Sequence, residues 1–211
     1  MIYISFDIGI KNLALCILKR DNDNLKIIDW RVISLADSKK EYKGINNISE
    51  ILYYELDNII GELGNIGINY YNYVIIENQP SNLNGIMKTI QLLIYSYFNL
   101  LKHWDKIVDE VILINPSLKL QYHNYDPDVI IKSKDNKTKK QLKNDKYREN
   151  KTKGIDICKY YIHNDKFLNN YYIIHKKKDD LADTLLQVIA YLRKNSNNIE
   201  YVELYESHLI K

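Results

Sequence analysis

Four carboxylates stand at positions where an α/β domain would gather them. Asp7 closes the β-prone run Ile2-Tyr3-Ile4-Ser5-Phe6, and Glu77 closes the apolar run Val74-Ile75-Ile76. Asp180 and Asp183 open an apolar helical stretch, three positions apart and so on one helix face. Carboxylates held within a few ångströms repel one another, and without a cation some must take up protons. Hard divalent metals relieve that conflict, because Mg²⁺ prefers oxygen ligands and keeps several waters. Two such ions about 4 Å apart activate a water and stabilise the leaving 3′ oxygen of an in-line phosphodiester attack. Histidine or cysteine in these places would select softer metals. Each acid alone has an ordinary explanation. An Asp at a strand end is usually a turn former, a Glu after an apolar strand is usually solvated, and Asp179-Asp180 suits a helix N-terminus. Their joint placement at the ends of three elements is what points to a metal site.

Periodicity supplies the elements that would carry these acids. Residues 2–7, 13–18 and 25–35 read as three strands joined by short turns, an antiparallel meander. Ile48, Ile51, Leu52, Leu56, Ile59, Ile60 and Leu63 recur at spacings of three and four and predict a helix. A fourth strand ends at Glu77. Asn78-Gln79-Pro80-Ser81 breaks it, with Ser81 or Asn82 as a cap for the next helix, about 82–103. That helix is apolar around most of its girth, since Leu92, Leu93, Tyr95 and Leu100 widen the stripe of Ile86, Ile90, Ile94 and Phe98. Such a helix is buried on more than one side, either inside its own domain or partly against a second subunit. Val108–Ile114 reads as a fifth strand, a lysine-rich polar segment covers about 121–147, and two helices follow near 148–163 and 180–194.

This order matches an α/β, RNase H-like mixed five-stranded sheet, three antiparallel strands followed by parallel ones, flanked by helices. In that sheet the first and fourth strands are neighbours, so Asp7 and Glu77 point to one edge. The reading is a single domain over 1–194, with a lysine-rich insertion at about 120–147 and a tail, 195–211, of no clear role.

Bulk properties narrow the function. A 45% hydrophobic content with 27% charge is that of an ordinary globular protein, and the net charge of +3 means any nucleic-acid preference rests on local patches. Cys16 and Cys158 lie far apart and fit intracellular thiols rather than a zinc site. An actin-like ATPase or sugar kinase also begins with Asp-x-Gly, but needs a second such turn, and only seven glycines occur. Met1 runs straight into the first strand, and no window reaches the roughly 18 apolar residues of a membrane span. The expectation is a soluble intracellular protein without signal peptide or membrane partner. The abundance of Ile, Lys, Asn and Tyr reflects AT-rich codons, so the 19 tyrosines are not read as a base-stacking platform.

Three blocks carry a resemblance: Asp7-Ile8-Gly9-Ile10-Lys11-Asn12-Leu13-Ala14, Ile76-Glu77-Asn78-Gln79-Pro80 and Lys177-Lys178-Asp179-Asp180-Leu181-Ala182-Asp183. They resemble the poxvirus and fungal-mitochondrial branch of the RuvC-like Holliday junction resolvases. A looser likeness surrounds Asn115-Pro116-Ser117-Leu118-Lys119 and Tyr147-Arg148-Glu149-Asn150-Lys151. The resemblance implies a structure-specific endonuclease, a homodimer that cuts opposed strands of a four-way DNA junction symmetrically. Helix 82–103 would lie at the dimer interface. Metal would be held by Asp7, Glu77, Asp180 and Asp183 as two Mg²⁺ ions, with Mn²⁺ as a substitute. The family's catalytic or phosphate-binding lysine is assigned to Lys151, with Lys153 in reserve. The chain departs from the pattern at Ser81-Asn82-Leu83-Asn84, which is uncharged where the family has an Arg-rich stretch. A viral member would act in the host-cell cytoplasm or a replication compartment.

DNA contacts are expected at Lys11, Asn12, Gln79, Lys119, Lys153, Lys177 and Lys178. Residues 132–153 hold nine Lys and one Arg against three acids, an excess of seven that can neutralise phosphates. Two alternatives are an RNase H-type or other structure-specific nuclease, with the same chemistry on another substrate, and a non-catalytic junction-binding module. The latter would have no use for four acids.

Overall fold

The computed structural model describes residues 1–22, 24–36, 44–80, 85–123, 139–195, 199–205 and 209–210. Most of the lysine-rich insertion and the cap at Ser81 or Asn82 lie outside the described residues. The elements in chain order are β1 (Ile2–Asp7), β2 (Leu13–Asp21), β3 (Asn24–Ile33), α1 (Ile45–Asn65), β4 (Tyr71–Glu77), α2 (Gly85–Leu100), β5 (Val108–Ile114), α3 (Lys139–Ile162), α4 (Lys166–Ile174), α5 (Lys178–Lys194) and β6 (Val202–Leu204). A π-helical turn, Leu101–Asp105, follows α2, and a 3-10 turn, Pro116–Leu120, follows β5.

The sheet order is β5-β4-β1-β2-β3-β6. β1, β2 and β3 run antiparallel, whereas β4 pairs parallel with β1, β5 with β4 and β6 with β3. The mixed α/β sheet expected from the sequence is present, with helices on both faces. Period-two alternation divides β1 between two cores. Ile4 and Phe6 join the cluster under α1 and α2, and Tyr3 joins the one under α3, α4 and α5. α1 forms because Ile48, Leu52, Leu56, Ile59 and Leu63 give it one continuous buried face.

Two elements are additional to the expected order. The sixth strand comes from the tail: Val202-Glu203-Leu204 lies beside Leu25, Lys26 and Ile27 and covers the edge of β3. Three residues are too few to show a periodicity. The other addition is α4, nine residues including Asn169 and Asn170, both poor helix formers. It is held by Asp165, whose side chain accepts from the Leu168 N–H at 3.0 Å, and by burial of Leu168 and Tyr172. α3 also begins well before residue 148; its first turns are rich in charge and display no apolar stripe from which that start could be read.

α2 is not an interior helix. It buries Ile90, Gln91, Ile94 and Phe98, while Leu92 and Leu100 are 50% and 54% exposed on the opposite side. Leu93 and Tyr95 are half-buried against the core.

The turn between β1 and β2 closes around Gly9. A Cβ there would stand 2.2 Å from the Asn12 carbonyl oxygen, far inside van der Waals contact. Gly9→Ala is therefore expected to destabilise the fold by about 1–3 kcal/mol, read as a lower urea midpoint. An unchanged midpoint would mean that the turn reforms around the methyl group.

Candidate functional site

Parallel pairing of β1 with β4 sets Phe6 beside Ile76, and the next residue of each strand is an acid. Asp7 and Glu77 thus leave the sheet together. Asp183, in the second turn of α5, meets them from the helical layer. Ligand oxygens of Asp7, Glu77 and Asp183 all lie within 4.8 Å of one another, and this triad can bind metal ions. Lys119, on the 3-10 turn after β5, enters the same cluster. Its Nζ is 3.2 Å from Glu77 Oε2 and donates to Asp183 Oδ2. The turn is fixed at its start by Asn115, whose side-chain oxygen accepts from the Ser117 N–H at 2.9 Å.

The segment after β4 is held from below. Gln91, fully buried on α2, accepts from the Gln79 N–H at 2.7 Å. Gln79 Nε2 reaches Glu77 Oε1 at 3.4 Å. From α5, buried Gln187 donates to Glu77 Oε2 at 3.4 Å and accepts from Ser5 Oγ at 3.2 Å. Periodicity shows Gln187 only as a polar residue on the apolar face of a helix, with no sign of its reach to Glu77.

Burial and crowding set the charge states. Burial, followed by the hydrogen bond and negative charge of Glu77, pushes Asp7 well above the usual carboxylate range. Burial would also raise Glu77, but the Asp7 hydrogen bond and the Lys119 ammonium outweigh it and hold Glu77 low. The two neighbouring carboxyls are thus pushed apart, Asp7 upward and Glu77 downward. Asp183 is pushed up to about 6, chiefly by burial, with Lys119 opposing and Glu77 and Asp180 adding to the rise. Burial would lower Lys119, but Asp183, Asp7 and Glu77 together raise it well above the ordinary ammonium range.

The acids floor a cleft of about 510 Å³ that also includes Gln79, Lys119, Tyr147, Lys151 and Asp180. Asp180 Oδ2 is buried there with no hydrogen-bond partner among the described residues, and Lys177 Nζ is 3.9 Å away. Burial and then Asp179 raise the Asp180 carboxyl. Lys151, on the α3 wall, is bound to Asp179 and lies 5.0 Å over the Tyr147 ring rather than among the acids. Asp179, expected only to favour the start of a helix, thus holds the lysine of the cleft wall.

Among the other expected contact residues, Asn12 and Lys177 join the β1–β2 turn to α5. The Asn12 amide orientation that satisfies both its ends puts its oxygen 3.3 Å from Lys177 Nζ. Lys11 is exposed, Lys153 and Lys178 are half-exposed, and none of the three lines the cleft.

Known proteins share this arrangement of elements. The fowlpox virus Holliday junction resolvase superposes with a TM-score of 0.56 at 21% identity, covering 92% of this chain and 99% of the resolvase. The yeast mitochondrial Holliday junction resolvase Ydc2 gives 0.58 at 14% identity, over 93% of this chain and 81% of its own. Thermus thermophilus RuvC, solved with a Holliday junction substrate, gives 0.53 at 9% identity, over 93% and 97%. In sequence, the chain is 31% identical over 168 residues to an uncharacterized protein of Acanthamoeba polyphaga mimivirus, 76% of this chain but only 38% of that longer relative. Residues 1–127, which include β1 to β5, Asp7, Glu77 and Lys119, match the model of the poxvirus A22 protein family, and the chain belongs to that family.

Proposed function

We propose that this protein is a metal-dependent endonuclease that resolves four-way DNA junctions, working as a homodimer. The observation that carries the reading is the convergence of Asp7, Glu77 and Asp183 within 4.8 Å in an open cleft that also holds Lys119. The donor set fits hard cations: it is all carboxylate, and the buried Asp180 Oδ2 has no hydrogen-bond partner among the described residues. Asp7, Glu77 and Asp183 would hold Mg²⁺ or Mn²⁺, with Asp180 reaching a second ion. Two such ions would supply an activated water and charge stabilisation of the leaving 3′ oxygen.

The chain's own residues do the rest. Burial and Glu77 raise the Asp7 carboxyl, and a bound cation would favour its charged form. Lys119 neutralises Glu77 and Asp183 and stands ready to meet a phosphate oxygen, so we assign it the lysine role that the sequence favoured for Lys151. Lys151 and Tyr147 on the cleft wall, with Gln79 on the other side, would bound the scissile strand. Lys11, Asn12, Lys153, Lys177 and Lys178 are outlying phosphate contacts. The structures solved with junction DNA, those of the fowlpox resolvase and the Thermus protein, support the substrate class. No helix among the described residues is long and apolar enough to cross a membrane. The family points to a virus as the source, and so to action inside an infected cell.

Cleavage of a labelled immobile junction, beside a linear duplex and an RNA–DNA hybrid, tests the function. Paired nicks in the junction alone are expected with Mg²⁺ and none with EDTA. Asp7→Asn, Asp183→Asn and Lys119→Ala should each lose about 10²-fold or more in rate. Hybrid cleavage would instead make the protein an RNase H-type enzyme, and metal-independent binding without nicks would make it a junction-binding module.

The raised Asp183 carries a stability signature. A carboxyl that titrates near 6 when folded and at 3.8 ordinarily costs stability above pH 6 and nothing below 3.8. In EDTA, Asp183→Asn should thus gain in Tm over the wild type as pH rises from about 5 to 7.5. Saturating Mg²⁺ should reverse the order of the two proteins, because only the wild type binds it fully. A Tm difference that does not move with pH would contradict the assigned charge state.

For the dimer, the outer face of α2 offers Leu92 and Leu100, and Trp104 just beyond it is 72% exposed. Leu92→Lys with Leu100→Lys should give a folded monomer by size exclusion that has lost paired cutting. Leu93 is a poorer probe, being half-buried against its own core. A stable, fully active dimer from the double variant would move the interface elsewhere.

A further inference from the structure

We infer that His123 is a positioning residue that sets the place of Lys119 among the acids, as the last link of a hydrogen-bond chain from Arg193 through Tyr161. This rests on the nuclease reading only for its activity readout. The geometry stands without it.

Lysine has a long flexible stem, so the place of its ammonium depends on how firmly its backbone is held. The turn that carries Lys119 is capped at its start by Asn115. Further on, His123 Nε2 lies 2.8 Å from the Lys119 carbonyl oxygen. A carbonyl only accepts, so Nε2 carries the hydrogen and donates. Nδ1 of a neutral ring is then an acceptor, and the Tyr161 hydroxyl, 3.3 Å away, donates to it. The Tyr161 oxygen in turn accepts from Arg193 Nη1 at 3.0 Å. Every group is used in one direction, Arg193 to Tyr161 to His123 to Lys119. Burial, and then the positive charges of Arg193 and Lys153, lower His123 to about 4, with the Lys119 carbonyl opposing, so the ring is neutral near pH 7 as the chain requires.

The backbone supplies an independent observation. Tyr122 has φ 64, the left-handed region that a bulky residue seldom enters. Its ring is 49% exposed, so packing of that ring does not account for the conformation. What the reversal achieves is to return the His123 ring to the carbonyl of the residue four positions earlier.

The chain also closes a loop. Arg193 and Asp183 both belong to α5, near its C-terminal and N-terminal ends. Asp183 binds the Lys119 side chain directly, while Arg193 reaches the Lys119 backbone through Tyr161 of α3 and His123. One helix thus holds the lysine at both its ends.

A double-mutant cycle with an independent chemical readout decides the matter in the full chain. In single-turnover junction cleavage, His123→Ala should slow the chemical step about tenfold with substrate affinity nearly unchanged. In the Lys119→Ala background the same substitution should cost less than about twofold, because it acts through the lysine. His123→Gln, whose amide N–H can reach the same carbonyl, should recover most of the rate. Equal losses in both backgrounds would overturn the inference. Reductive methylation followed by peptide mass spectrometry reads Lys119 without activity. His123→Ala should raise its modification several-fold relative to Lys159 in the same sample, and an unchanged ratio would overturn the inference. If His123→Ala does not fold, Tyr161→Phe, isosteric and lacking only the hydroxyl, should raise the same ratio, and failure to do so would count equally against it. A wild type that cleaves no junction would refute the junction-resolving reading, while the methylation ratios still decide the placement of Lys119.

Discussion

Three carboxylates cannot be held with their oxygens inside 4.8 Å unless a proton or a positive charge lies between them. The architecture around β1 answers that constraint. Burial and Glu77 raise the Asp7 carboxyl, Lys119 bridges Glu77 and Asp183, and Gln79 and Gln187 donate to Glu77 Oε1 and Oε2. Without metal, the cluster is a burden on the fold, because burial keeps at least two of its acids above their ordinary range. The stability that tolerates this comes from elsewhere, from the two hydrophobic clusters on either face of the sheet.

α5 connects the second of those clusters to the site. Leu181, Leu185, Val188, Ile189 and Leu192 are buried in the layer with α3 and α4. Two of its polar residues, Thr184 and Gln187, are buried as completely, and each has a partner. Trp30 Nε1 donates to the Leu181 carbonyl at 3.0 Å and to Thr184 Oγ1 at 3.3 Å, which fixes the helix against β3. Gln187 spans Ser5 on β1 and Glu77 on β4. Specific buried hydrogen bonds of this kind leave little freedom of rotation or sliding, so the acid at the helix start keeps its distance from the acids on the strands.

Much of this was legible in the sequence, for reasons that differ by element. Long runs such as Ile2–Asp7 and the α1 stripe declare themselves because their buried faces repeat, and the acids at strand ends could be grouped once the strand order was known. β6 and α4 escaped because they are short and owe their structure to neighbours. Lys119 was read as a phosphate contact, since spacing alone does not reveal that the turn after β5 aims it at Glu77 and Asp183. Lys151 shows the converse: the right wall of the cleft, but with Asp179 as its partner. Gln187 shows only as a polar residue on an apolar helix face, because a hydrogen bond across 182 residues, from Ser5, leaves no mark on local pattern, and His123 stands in a polar stretch whose turn back to Lys119 has no periodicity.

The pairing of β1 with β4 has one more effect. Side chains alternate across a strand, so a slip of one residue would turn Glu77 to the opposite face of the sheet while Asp7 stayed in place. Such a chain would still bury apolar surface on collapse, yet its acids would be divided between two faces. The alignment that completes the core is thus also the one that gathers the acids, and a chain with its strands out of step would have neither.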